Sequence, residues 1–126
     1  MSLRNPLANA RNHGSAGDGI VHWWAQRFSA IAMIGLVTWL VWGMVALVGA
    51  SHAEAALWLG RPFNASMAIL FSLVSIYHAR LGLQVIIEDY IHRRGLEICL
   101  QILVKLAALV GAVVAVMAIL KVAFGV

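Results

Sequence analysis

The run His78-Ala79-Arg80-Leu81-Gly82-Leu83-Gln84-Val85-Ile86-Ile87-Glu88-Asp89-Tyr90 sets a histidine, an arginine and a terminal Asp-Tyr pair among apolar residues. Each of these side chains has a chemistry that a greasy segment does not need. Imidazole is a ready axial ligand for haem iron, and one such residue facing a partner helix supplies half of a bis-histidine site. The other reading of His78 is an interhelical hydrogen bond to a Ser or Thr, a common use of polar residues between membrane helices. Spacing alone does not identify a metal. At 100° per residue, His78, Gly82, Val85 and Asp89 share one helical face, and Gly82 leaves a strip free of side chain where a flat ring can lie.

Asp89 and Tyr90 fall where that helix leaves the apolar region, about 16 Å along the axis from His78. A phenol there can donate to the carbonyl of a lipid-soluble molecule, and an adjacent carboxylate can orient it or help deliver protons. An interfacial tyrosine beside a solvated carboxylate is the plainer reading. Upstream, His22 and Arg27 flank the start of another apolar run, the first helix, with Gln26 and Ser29 nearby. They suit an anionic group such as a haem propionate, since arginine forms charge-assisted bonds to carboxylates; positive-charge anchoring at a membrane surface explains them equally well. Arg80 and Lys105 each lie eight residues from an acid, Glu88 and Glu97, at roughly 12 Å depth. For both, snorkelling toward water or contact with a partner subunit is preferred to a redox role.

The elements that hold these residues follow from composition. Of 126 residues, 63% are hydrophobic and only 11% charged, which a soluble domain of this size cannot bury. Charge-poor stretches at about 28–51, 63–87 and 98–120 are each long enough to cross a hydrocarbon core about 30 Å thick. Backbone groups in lipid must satisfy one another, so an all-α membrane protein of three transmembrane helices is expected. Residues 22–126 form that domain, with Pro62 in the first turn of the second helix and a polar turn over 88–95.

Residues 1–21 lack the apolar region of a signal peptide and are expected to be a retained cytoplasmic segment, with Gly14 to Gly19 a flexible lead-in. Arg4, Arg11, Arg27, Arg93 and Arg94 fall on one side, against Arg61 and Lys121 on the other, so the N-terminus is placed in the cytoplasm. Trp23 and Trp24 then form a belt at the cytoplasmic interface and Trp58 sits at the far one. The net charge of +4 is dispersed, which argues against nucleic acid, and the single Cys99 excludes an internal disulfide.

The motif from His78 to Tyr90 resembles the second helix of the small hydrophobic membrane anchor of proteobacterial succinate dehydrogenase, respiratory complex II. His22-Trp23-Trp24-Ala25-Gln26-Arg27-Phe28-Ser29-Ala30 is similar to that family's entry into helix one. The resemblance implies a heteromeric helical bundle with a second, companion anchor subunit, attached to an iron–sulfur subunit and a flavoprotein subunit. It implies that His78 is one axial ligand of a haem b whose other ligand comes from the companion anchor. It implies that Tyr90 hydrogen-bonds a ubiquinone carbonyl with Asp89 beside it, and that His22 and Arg27 approach the haem propionates. The flavin, the dicarboxylate site and the iron–sulfur clusters would belong to other chains.

The expected function is therefore that of a membrane anchor in a succinate:ubiquinone oxidoreductase of the bacterial inner membrane, a subunit outside the catalytic core. Two alternatives are an anchor of a fumarate reductase and a small multispan transporter using His78 or Arg80 as a coupling charge. A transporter fits less well, because the spans have no paired intramembrane acids and no internal repeat. A cofactor-free assembly protein leaves His78 and the Asp89-Tyr90 pair unexplained.

Overall fold

A computed structural model describes residues 16–125, so Arg4, Arg11 and most of the 1–21 segment lie outside the described residues. Four helices follow in order: α1 (Ala16–Ala46), α2 (His52–Gly60), α3 (Pro62–Tyr90) and α4 (Arg94–Phe124). Three of them, Gly19–Ala46 within α1, α3 and α4, are long and apolar enough to cross a membrane. The chain is an all-α, multi-pass membrane protein. With 28 to 31 residues each, these helices exceed the roughly 20 that a bilayer core requires, so they tilt or project beyond it.

Three boundaries differ from expectation. The first span ends at Ala46 rather than at 51, and the chain turns through Gly49, whose φ of +81° is the left-handed region where glycine has no steric penalty. The expected lead-in is also shorter, since the chain is helical from Ala16. At the other end of α3, Glu88, Asp89 and Tyr90 are its last helical turn, and only residues 91–93 break the helix. A helix can carry charged side chains into the headgroup region while keeping its backbone bonds, so polarity alone did not end it.

The short helix α2 was not anticipated. It begins in a capping box, with Ser51 Oγ accepting from the Glu54 amide and the Glu54 carboxylate accepting from the Ser51 amide at 2.7 Å. The Glu54 carboxylate also accepts from Ser51 Oγ, and these bonds, the backbone one foremost, hold its pKa below the ordinary 4.5. Trp58 of α2 stacks on Trp39 of α1 with centroids 5.6 Å apart. Only glycine fits beneath it: a Cβ on Gly43 would stand 2.6 Å from the Trp58 ring. At the end of α2, the Trp58 carbonyl accepts from the buried Asn64 side chain at 2.7 Å and, less closely, from the Arg61 amide at 3.4 Å.

α3 is the middle of the bundle. It packs against α4 on one side and α1 on the other, whereas α1 and α4 do not meet. α2 packs across the ends of α3 and α4. Among the described residues the buried apolar side chains are Leu36, Ala65, Leu81 and Ile87, three of them on α3, and α4 has none. Most of the apolar surface, including Trp42, Val48 and Phe124, faces outward. In water this would be an aggregation hazard, but lipid tails and partner helices are its natural surroundings.

Candidate haem-ligand and quinone-site residues

The polar side chains of α1 converge on His78 across the α1–α3 seam. Gln26, Ser29, Met33 and Leu36 recur at helical spacing along one side of α1. Opposite them, Ser75 donates to Met33 Sδ at 3.3 Å, and His78, one turn further along α3, meets Ser29 and Gln26. Ser29 Oγ lies 2.8 Å from His78 Nδ1, and Gln26 Nε2 lies 3.4 Å from His78 Nε2. Ser29 is 7% exposed, which is uncommon for a hydroxyl without a partner, and here it has two: His78 and the Gln26 carbonyl at 3.0 Å.

The interhelical hydrogen bond is thus present, and it is compatible with a ligand role, because it engages the nitrogen that an Nε2-bound metal leaves free. The Nε2 side is held only by the longer contact to a flexible amide. Gly82 faces the same amide, whose nitrogen is 3.9 Å from where a Cβ would stand, so the open strip expected beside His78 is lined by Gln26.

Two buried polar atoms in this corner have no partner: His22 Nε2 and Gln26 Oε1. They are one helical turn apart on α1 and so lie on one face. An unpaired buried polar atom costs about 1–3 kcal/mol, so a pair of them marks a place where a further polar group belongs. Beside the seam, Ala25, Phe28, Ser29, Ala32, Leu73 and Tyr77 line an open apolar groove. An imidazole with an available nitrogen, two unsatisfied polar atoms and an apolar groove fit a haem, whose ring is apolar and whose propionates are not.

The other predicted residues are distributed differently. Arg27, one residue and 100° round from Gln26, is exposed and lies over the Trp23 ring at 5.3 Å; no hydrogen bond among the described residues joins it to His78. Asp89 and Tyr90 are exposed at the end of α3, Tyr90 by 76%. They lie roughly 16–18 Å along the axis from His78 and make no side-chain hydrogen bond among the described residues. Such exposure suits a contact that other chains complete.

Arg80 faces α4, where Gln84, Ile87, Gln101 and Lys105 share a small space with it. Its guanidinium lies 5.8 Å from the Tyr77 ring centroid, a cation–π contact, and its Nε has no partner. Nearby, Glu88 accepts from Gln84 at 2.9 Å and from Gln101 at 3.4 Å, joining α3 to α4. Sequence spacing placed Gln26 and Ser29 near the helix start but did not pair them with His78, which is 52 and 49 residues away.

These features define a three-span membrane protein with a polar seam between its first two spans and an exposed Asp-Tyr pair at one end. Residues 1–120 match the family described as succinate dehydrogenase/fumarate reductase transmembrane subunit. The chain belongs to that family. It is 37% identical over 118 residues to the succinate dehydrogenase hydrophobic membrane anchor subunit of Rickettsia bellii, covering 93% of this chain and 94% of that protein. The succinate dehydrogenase membrane anchor subunit of Reclinomonas americana is 34% identical over 95 residues, 73% of this chain and 79% of that one. The hydrophobic membrane anchor subunit of Paracoccus denitrificans is 32% identical over 90 residues, 71% and 70% of the two. No solved structure matches the chain.

Proposed function

We propose that this chain anchors a succinate:ubiquinone oxidoreductase in the bacterial inner membrane, supplies one axial ligand to haem b through His78, and forms part of the ubiquinone-reduction site through Tyr90 and Asp89. The observation that carries the reading is the pairing of His78 Nδ1 with Ser29 at 2.8 Å, against only a longer 3.4 Å contact from the flexible Gln26 amide at Nε2, the nitrogen that would bind the metal. A bound haem b would supply a one-electron store between the helices. His22 presents a buried unpaired nitrogen to a propionate. Arg27 would serve the same group by leaving the face of Trp23.

Tyr90 acts as a hydroxyl donor to a quinone carbonyl. Asp89, its neighbour at the helix end, orients the headgroup or passes protons to it. Both are exposed in the isolated chain, and the companion anchor and the iron–sulfur subunit would close the site around them. The flavoprotein subunit would carry succinate oxidation. Operation as a fumarate reductase uses the same anchor, with direction set by the quinone potential and by the other subunits.

Purification of the tagged chain from native membranes tests this. A flavoprotein, an iron–sulfur protein and a second small membrane protein should co-purify in equal amounts, with a reduced-minus-oxidised spectrum of a b-type haem. Isolation of the chain without those proteins or that spectrum would contradict the proposal.

A further inference from the structure

An iron bond and the hydrogen bonds around His78 together determine which ring nitrogen holds the proton. An Nε2 that binds iron gives its lone pair and bears no proton, and the Gln26 side-chain nitrogen 3.4 Å from it, which can only donate, faces that same lone pair. A neutral imidazole then has its proton on Nδ1, which donates to Ser29 Oγ at 2.8 Å. Ser29 is left with its own proton, and the Gln26 carbonyl 3.0 Å away, which can only accept, receives it. The chain of donors and acceptors closes without conflict and ends on a helix backbone.

We infer that Ser29 is a positioning residue for the haem ligand: it holds His78 as the Nδ1–H tautomer, fixes the ring plane, and strengthens Nε2 as a donor to iron. The inference rests on the reading of His78 as an axial ligand. No other hydroxyl among the described serines and threonines of the spans can substitute: Thr38 and Ser72 bond back to their own helices, Ser75 is taken by Met33, and Ser66 lies twelve residues, about 18 Å along the axis, from His78. Burial strengthens the effect, because a hydrogen bond sheltered from water is not exchanged for one to solvent. Gln26 has the opposite character: its long, flexible side chain makes the weaker contact, and it can vacate Nε2 without disturbing the Ser29 bond.

An acceptor on Nδ1–H increases electron donation by the ring and favours the more positive iron state. The test is redox potentiometry and low-temperature electron paramagnetic resonance on the purified complex with Ser29→Ala, beside Ser29→Thr. Neither readout depends on turnover. Ser29→Ala should raise the haem midpoint potential, broaden the low-spin signal as the ring loses its fixed plane, and speed haem transfer to a scavenger about tenfold or more. Ser29→Thr keeps the hydroxyl and should return the wild-type potential and line shape. If Ser29→Ala does not assemble, Ser29→Cys, whose thiol is a poor acceptor, is measured in its place.

An unchanged potential and signal in the hydroxyl-free variant would overturn the inference. A parallel His78→Ala sample separates the two claims. If it retains a bis-histidine haem, the ligand assignment fails and the role of Ser29 with it. If it loses that spectrum while removal of the Ser29 hydroxyl changes nothing, only the role of Ser29 falls.

Discussion

His78 of α3 is tied to Ser29 of α1 through Nδ1, at 2.8 Å, while its Nε2 meets only the Gln26 amide at 3.4 Å. This asymmetry gives one ring nitrogen a structural task and leaves the other for chemistry. It also joins the first two spans at the level of the histidine, so ring orientation depends on how α1 and α3 pack.

Tyr90→Phe removes a hydroxyl and keeps the ring. A hydrogen bond of this kind contributes about 0.5–1.5 kcal/mol, so quinone reduction should fall by about twofold to tenfold. Dye-linked succinate oxidation and haem content should not change, because Tyr90 is roughly 18 Å along the helix from His78. The measurement is the ratio of succinate:ubiquinone to succinate:dye turnover in the same membranes. Equal ratios in variant and wild type would reduce Tyr90 to an interfacial anchor.

Gly43→Ala should loosen the seating of α2 on α1. The added methyl meets the Trp58 ring at 2.6 Å, and Trp58 is backed by its stack on Trp39. Overpacking of this kind costs about 1–3 kcal/mol, more than the roughly 1 kcal/mol that alanine gains over glycine within a helix. The thermal midpoint of the solubilised complex should drop, and Trp58→Leu in the same background should restore much of it. A midpoint equal to wild type would show that Trp58 has room to move.

The three spans were legible because length and hydropathy suffice for a helix in lipid. The end of α1 was not: Leu47, Val48 and Ala50 continue the apolar run, and hydropathy does not register the left-handed turn at Gly49. Ser51 and Glu54 have the spacing of a capping box, which could have revealed α2, but a helix of 9 residues is too short to leave the hydropathy signal of a span. In the site, residue type and depth singled out His78, but spacing gives azimuth on one helix only. Its partners come from another helix, and a single step from Gln26 to Arg27 turns a side chain from the seam to the outside.

Glu54 provides a pH test outside the membrane spans. Its pKa is lowered by bonds from the Ser51 backbone and then from the Ser51 side chain. The contribution to α2 is therefore fully present above the ordinary value of 4.5 and is lost as pH falls through the depressed one. Amide exchange across residues 51–60, corrected for intrinsic pH dependence, should show protection that declines in that acid range. Glu54→Gln keeps an acceptor for the box and should remove the decline. A decline that persists in this variant would assign it to another group.

The basic residues predict a cytoplasmic N-terminus, with Arg93 in the turn after α3 and Arg94 opening α4, against Lys121 in the last turn of α4. Three crossings put the two termini on opposite sides. A C-terminal alkaline phosphatase fusion should be active and a C-terminal green fluorescent protein fusion dark, as expected for a periplasmic end. The reverse pattern would invert the topology and move Asp89 and Tyr90 to the periplasmic face.

The most direct test of His78 as a haem ligand is the haem-to-flavin ratio and absorption spectrum of the purified complex with His78→Ala. One axial bond is lost, and the other described histidines do not share its depth: His22 lies two turns before Ser29 on α1, His52 opens α2, and His92 follows the end of α3. The expected result is a strongly reduced haem content, or a haem without the bis-histidine spectrum, in a complex that still oxidises succinate with a soluble dye. A stoichiometric haem with an unaltered bis-histidine spectrum would contradict the assignment.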